Sequence, residues 1–251
     1  MADVRSSTVV LPLEDSEGQK LLQQCKYGRL LPYFRKQVNS KYCGFCTAAM
    51  CLNEILENCT QNDFHLGKFS ELAQLKAMQK TLQEDDILKV GEDCSLLRKE
   101  NVDIEGITLQ TFSELIKIIG LPTSFYHVFP LQQNSSNESI REGKISAEVH
   151  TVDEFRSIAL ENLKQQGGHV VVNFYMAEFY PGIDFGHFSP LGGYNVKEDR
   201  FLLLDVWPRN PVGWIKTEDL FNAMAHEDSY SHMPRGFCVF YAGNGLQKHN
   251  S

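Results

Sequence analysis

Apolar residues recur at helical spacing through most of the first half of the chain. Phe45, Ala48, Ala49, Leu52, Ile55 and Leu56 form one stripe, which predicts an α-helix beginning at about residue 43. The same period predicts a short helix over 20–31, ended by Pro32, and a helix–loop–helix over 65–100 with Leu72, Leu75, Met78 and Leu82 inward. A further helix over 107–120 carries Phe112, Leu115, Ile116 and Ile119 on one face and is closed by Gly120 and Pro122. A strand starts at 124–128, and a last long helix spans 152–166 with Phe155, Ile158, Ala159 and Leu163 inward. Beyond it the pattern changes to short apolar runs divided by turn residues, at 169–175, 187–194, 201–206 and 237–241. Helices first and strands last predict an α+β fold, a helical N-terminal lobe packed on an antiparallel β-sheet lobe. No internal repeat is present.

At 251 residues the chain has room for one large domain or two small ones. Residues 1–20 are expected to form a weakly ordered arm, 21–243 a single body and 244–251 a polar tail, with 132–144 (QQNSSNESIREGK) a polar surface loop. The formal charge is −8, from 24 basic and 32 acidic residues, and no Lys/Arg cluster is interleaved with aromatics, so nucleic acid is excluded as a partner. Seven cysteines, an odd number without the spacing of a secreted framework, predict a reducing compartment. Pro12 interrupts the only apolar run near the N-terminus, and no stretch approaches the roughly 18 apolar residues of a membrane span. The expectation is a cytoplasmic protein without membrane contact. The sequons at Asn58, Asn134 and Asn137 would matter only in a secreted one.

The chemistry centres on Cys43. At a helix N-terminus the unpaired backbone N–H groups and the positive end of the macrodipole favour thiolate over thiol. Gln37, six residues earlier, can return its side-chain amide beside the Cys43 N–H as an oxyanion donor. Such a nucleophile needs a base and a group to orient it. His187 follows the small Gly186 at a strand start, and Asp205 ends the apolar run of the next strand. A turn at 197–200 would bring the two to the same end of the sheet. Cys43-Gly44-Phe45-Cys46 also reads as a C-x-x-C redox pair, although no βαβ pattern surrounds it. Cys43, Cys46, Cys51 and Cys59 lack the spacing of a tetrahedral zinc site, so no metal site is predicted.

Tyr42-Cys43-Gly44, the run GHFSPLGGYN from Gly186 to Asn195, and Leu203-Leu204-Asp205-Val206 resemble the catalytic core of phytochelatin synthases. These are the glutathione γ-glutamylcysteinyltransferases of the papain-like superfamily. Trp214, the helix at 220–224 and Arg235-Gly236-Phe237 extend the resemblance over residues 32–241. It implies a papain-like fold with Cys43 as nucleophile, His187 as base, Asp205 as orienter and Gln37 as oxyanion donor. It also implies that Asp228 and Arg235 contact the γ-glutamyl group, with Gly186 and Arg209 completing the substrate-binding set. The implied reaction cleaves the Cys–Gly bond of glutathione through a thioester on Cys43 and passes the acyl group to a second glutathione or to water. The alternative is a cysteine peptidase acting on another γ-glutamyl or other peptide. No cofactor is obligatory, heavy-metal ions (Cd²⁺, Zn²⁺) would activate through metal–thiolate substrates, and a homodimer is left open.

Three departures touch the substrate rim and not the triad. Ser40-Lys41 replace a Pro-Ala pair, Phe185 replaces a Thr, and Pro208 stands where the family has an Arg, with Arg209 one position later. Eukaryotic family members carry a Cys-rich C-terminal region, whereas here a polar tail follows Tyr241. Hydrolysis is therefore expected to dominate over transfer.

Overall fold

A computed structural model describes residues 9–58, 68–130 and 147–242. The predicted loop at 132–144, the tail at 244–251, Cys59, Asn134 and Asn137 lie outside the described residues.

The chain opens with β1 (Leu11–Pro12), which pairs antiparallel with β7 (Gly213–Lys216) at the sheet edge, where a proline costs no ladder hydrogen bond. Helix α1 (Ser16–Gln23) follows from the extended Asp15 and is tied to β7 by the Trp214 indole, which donates to the Gly18 carbonyl at 3.0 Å. The arm expected over 1–20 is thus built into the fold from Leu11 onward, and residues 1–8 lie outside the described residues. The helix predicted at 20–31 is also displaced. Lys26 exchanges both of its backbone hydrogen bonds with Tyr194, at 2.9 and 3.0 Å, which ends the helix and leaves a 3-10 turn at Gly28–Tyr33.

Helix α2 (Cys43–Asn58) starts where its apolar stripe predicts, and it is buried nearly all round, so it forms a core element. Around it stand α3 (Phe69–Gln79), α4 (Glu84–Asp93), α5 (Lys99–Glu105) and α6 (Leu109–Ile119). Thr108 caps α6 at its N-terminus and Gly120, in the left-handed region, ends it.

The remaining elements are β2 (Thr123–Val128), β3 (Ala147–Val149), α7 (Val152–Lys164), β4 (His169–Tyr175), β5 (Gly186–Asn195), β6 (Arg200–Leu203), α8 (Thr217–Met224) and β8 (Gly236–Phe240). The eight strands lie in the order β1-β7-β6-β5-β4-β8-β2-β3. All neighbours are antiparallel except β2 and β3, which correct the wholly antiparallel expectation. Residues 129–146 between those two strands exceed the dozen or so that a parallel crossover requires.

Alternate residues of the central strands serve two cores. Val171, Phe188, Leu202, Cys238 and Phe240 pack with α2 and α6, while Val170, Val172, Phe201, Phe237 and Val239 pack with the residues of α7 and α8. Burial on both faces explains why these strands read as continuous apolar runs, each large side chain contributing about 1.5–3 kcal/mol. The sheet is therefore sandwiched by helices, where the sequence pattern alone predicts a helical lobe on one side.

Candidate active site

The turn preceding α2 is pinned at almost every residue. Gln37 N donates to the Val206 carbonyl at 2.9 Å, and the buried Glu84 carboxylate accepts from Val38 N (2.8 Å) and Asn39 N (3.4 Å). Asn39 then accepts from the two residues that follow Ser40, through Oδ1 from Lys41 N (2.9 Å) and through its carbonyl from Tyr42 N (3.1 Å). The Tyr42 carbonyl receives the first helical bond, from Cys46 N at 2.8 Å, so Cys43 is the first residue of α2. Gly44 beside it leaves room for the Ile107 side chain, which a Cβ there would approach to 2.8 Å.

His187, the second residue of β5, faces this helix end. Its Nε2 is 2.9 Å from Asp205 Oδ1, and both side chains are buried. That bond leaves Nδ1 to interact with the Cys43 thiol. Strand β6 ends at Leu203, so Asp205 lies just past the strand and not within it as predicted. It is fixed there by three further donors: the Trp207 N–H on Oδ1 (2.8 Å), Asn210 Nδ2 on Oδ2 (2.8 Å), and Lys36 Nζ on the Asp205 carbonyl (2.7 Å). The Trp207 ring stands edge-on to His187 at 6.1 Å and packs on Phe185 at 5.1 Å, while Phe174 meets the imidazole from another side at 5.6 Å.

These contacts decide the protonation states. Burial works to raise the Cys43 thiol, but the hydrogen bond and charge of His187, with the Phe188 and Gly44 backbone, hold it below its ordinary value. Burial would likewise lower His187, yet the Asp205 charge and the thiol raise it to about 9. Asp205 is kept below the usual carboxylate range because His187, Asn210 and Trp207 outweigh its desolvation. Both shifts favour a thiolate–imidazolium pair over a neutral thiol and imidazole. The other described cysteines are free, and desolvation followed by the charge of Glu84 pushes buried Cys46 up to about 12, so it makes a poor redox partner for Cys43. Among the described residues no three His, Cys, Asp or Glu side chains gather as a metal site.

A cavity of about 530 Å³ opens beside Cys43 and is walled by residues of both halves of the chain, including Lys41, Trp207, Asp228 and Arg235. Arg235 is only 6% exposed. Its Nη1 contacts Asp228 Oδ2 at 2.7 Å and Asn173 Oδ1 at 3.3 Å, and its Nε has no hydrogen-bond partner among the described residues. Gly186 is part of this wall because the guanidinium lies directly over it, where a Cβ would come within 2.0 Å of Nη1.

The structure thus brings together Cys43, His187, Asp205, Gly186, Asp228 and Arg235. It does not add Arg209, which is exposed and absent from the cavity wall. Gln37 also differs from expectation. It is 3% exposed and outside the wall, and its Nε2 donates to the Asn39 carbonyl at 2.8 Å, the acceptor that the pinned turn presents to it. Sequence reasoning missed Asn173, Trp207 and Asn210. Asn173 carries a signal, being the one amide within the apolar run HVVVNFY, where burial demands a partner.

Comparison with known proteins gives matches along most of the chain. The family model for phytochelatin synthase matches residues 4–237. Glutathione gamma-glutamylcysteinyltransferase 3 of Lotus japonicus is 24% identical over 244 residues, covering 94% of this chain and 43% of that protein. Glutathione gamma-glutamylcysteinyltransferase 1 of Arabidopsis thaliana is 33% identical over 90 residues (36% and 18%), and the glutathione gamma-glutamylcysteinyltransferase of Schizosaccharomyces pombe is 26% identical over 140 (55% and 29%). The chain spans less than half the length of these curated relatives. No described helix is long and apolar enough to cross a membrane.

Proposed function

The chain belongs to the phytochelatin synthase family, and from that premise we propose that it is a papain-like thiol acyltransferase and peptidase acting on glutathione. The observation that carries the proposal is the buried His187–Asp205 bond facing Cys43 at a helix N-terminus, in one cavity with the Arg235–Asp228 pair. Arg235 receives the glutamyl α-carboxylate and Asp228 the α-ammonium, which sets the Cys–Gly carbonyl over the thiolate.

Cys43 Sγ attacks that carbonyl carbon. The oxyanion is met by the Cys43 N–H, and the Gln37 amide could join it only by releasing the Asn39 carbonyl. The C–N bond breaks as the His187 imidazolium gives its proton to the departing glycine amine, and a γ-glutamylcysteinyl thioester remains. His187, now neutral, takes a proton from water or from the amine of a second glutathione as its oxygen or nitrogen bonds to the thioester carbon, and the C–S bond breaks to return the thiolate. Phe185 at the rim and Arg209 outside the cavity weaken the hold on a second glutathione, so hydrolysis to γ-glutamylcysteine and glycine dominates. Cd²⁺ or Zn²⁺ raises turnover only as a thiolate complex of the substrate, and free thiols suit a reducing, cytoplasmic setting.

The test is incubation with glutathione, with and without Cd²⁺ or Zn²⁺, followed by mass spectrometry. Glycine and γ-glutamylcysteine are expected, with short transfer products minor. Abundant long (γ-Glu-Cys)n-Gly oligomers would overturn the preference for hydrolysis, and no glycine release would overturn the assignment.

A further inference from the structure

Glutathione carries two carboxylates, and the cavity wall carries two cations among the described residues, Lys41 and Arg235. Arg235 is committed to Asp228 and Asn173 at the glutamyl end. Lys41 is two residues before the nucleophile, on the turn that delivers it. Its backbone is fixed through the 2.9 Å bond to Asn39 Oδ1, while its side chain is exposed and forms no ion pair within 4.0 Å among the described residues. The acids that share the wall do not neutralise it. Asp228 is paired with Arg235, Asp184 accepts the Tyr175 hydroxyl at 2.6 Å, Glu227 is 3.2 Å from His232, and Glu105 makes no ion pair with Lys41.

We propose that Lys41 is a specificity-determining residue that binds the carboxylate on the far side of the scissile bond, first that of the leaving glycine and then that of the incoming acceptor. This deepens the reading above and rests on it for the identity of the substrate. Glycine is an α-amino acid, and so is the free end of the γ-glutamyl residue that would accept the acyl group. In both, a carboxylate sits one carbon from the amine. A cation that grips the leaving glycine therefore also orients an acceptor amine at the thioester. The transfer step balances without any further reagent: the amine nitrogen bonds to the thioester carbon, His187 takes one amine proton, the C–S bond breaks and the thiolate returns.

The test compares wild-type protein with Lys41→Ala and the charge-retaining Lys41→Arg. The first readout is the ratio of kcat/KM for glutathione to that for its glycyl ethyl ester, which lacks the second carboxylate, together with the share of acyl groups captured by added glycine against glycinamide. Lys41→Ala is expected to lower both ratios by roughly three- to tenfold, and Lys41→Arg to restore them. The second readout needs no turnover. It is the rate of Cys43 alkylation by iodoacetate, a carboxylate, relative to neutral iodoacetamide, which Lys41→Ala should also depress. Ratios unchanged in Lys41→Ala overturn the proposal. If wild-type protein releases neither glycine from glutathione nor glycine ethyl ester from the esterified substrate but the alkylation ratio still falls, the glutathione assignment fails while Lys41 stands as the carboxylate contact.

Discussion

Gly186→Ala is a one-methyl perturbation whose effect can be worked from the cavity wall. The added Cβ would lie 2.0 Å from Arg235 Nη1, 2.4 Å from Cζ and 2.8 Å from Nη2, all closer than a real Cβ contact. A free arginine end could swing aside, but this one is buried and held by Asp228 at 2.7 Å and Asn173 at 3.3 Å, so it cannot retreat without lengthening those bonds. A hydrogen bond involving a charged group contributes about 1.5–3 kcal/mol. Misplacing the one that would receive the glutamyl carboxylate should therefore lower kcat/KM for glutathione roughly 10- to 150-fold, chiefly through KM. The assay is steady-state glycine release, beside the rate of Cys43 alkylation by iodoacetamide. That rate should stay near wild type, because the thiolate is set by His187 and not by Arg235. A folded Gly186→Ala protein with wild-type kcat/KM would refute the assignment of Arg235 as the carboxylate clamp.

Cys43→Ala and Cys43→Ser should abolish glycine release and leave circular dichroism and Tm near wild type, because α2 is held by its buried Phe45, Ala49 and Leu52. Cys46→Ala should retain activity, and loss of activity in that folded variant would revive the redox reading. Asp205→Asn should be milder than His187→Ala, whose loss should reach about 10²–10⁴-fold. An Asn oxygen can still accept from His187 and Trp207, while Asn210 turns its amide to accept from the new NH₂. The opposite ranking would remove Asp205 as orienter. Cys43 should be the first cysteine alkylated by iodoacetamide, with a rate that rises below the ordinary thiol range and then levels. Glycine release should fall as pH passes about 9, where the imidazolium that protonates the leaving amine is lost. Alkylation that rises only around the ordinary thiol value of about 8.5 would contradict the ion pair.

The elements that were legible are those whose burial leaves a periodic trace. Helix α2 shows its Phe45–Leu56 stripe, and β4 and β8 show largely apolar runs because helices cover both of their faces. The strands β1 and β7 left no such trace. They are two and four residues long, and their pairing depends on contacts more than 200 residues apart in the chain. In the site, Cys43, His187 and Asp205 could be read because each is an unusual residue at a predictable point of an element. Trp207 and Asn210 could not, since their role arises only when the chain beyond β6 folds back on the Asp205 carboxylate, nor could Lys36, whose bond to the Asp205 carbonyl joins residues far apart in the chain. Arg209 was misplaced by the same loop, in which counting residues does not fix direction.

The thiol precedes its base by more than half of the chain. At about 5–20 residues per second on a ribosome, on the order of ten seconds separate the emergence of Cys43 from that of His187. During that interval no imidazolium is available to lower the thiol, and a lone side chain on a nascent segment behaves as an ordinary, weakly reactive cysteine. The reactivity of Cys43 therefore matures mainly with the sheet, after its own helix, and a stalled or truncated product ending before β5 lacks the imidazole that most lowers its thiol.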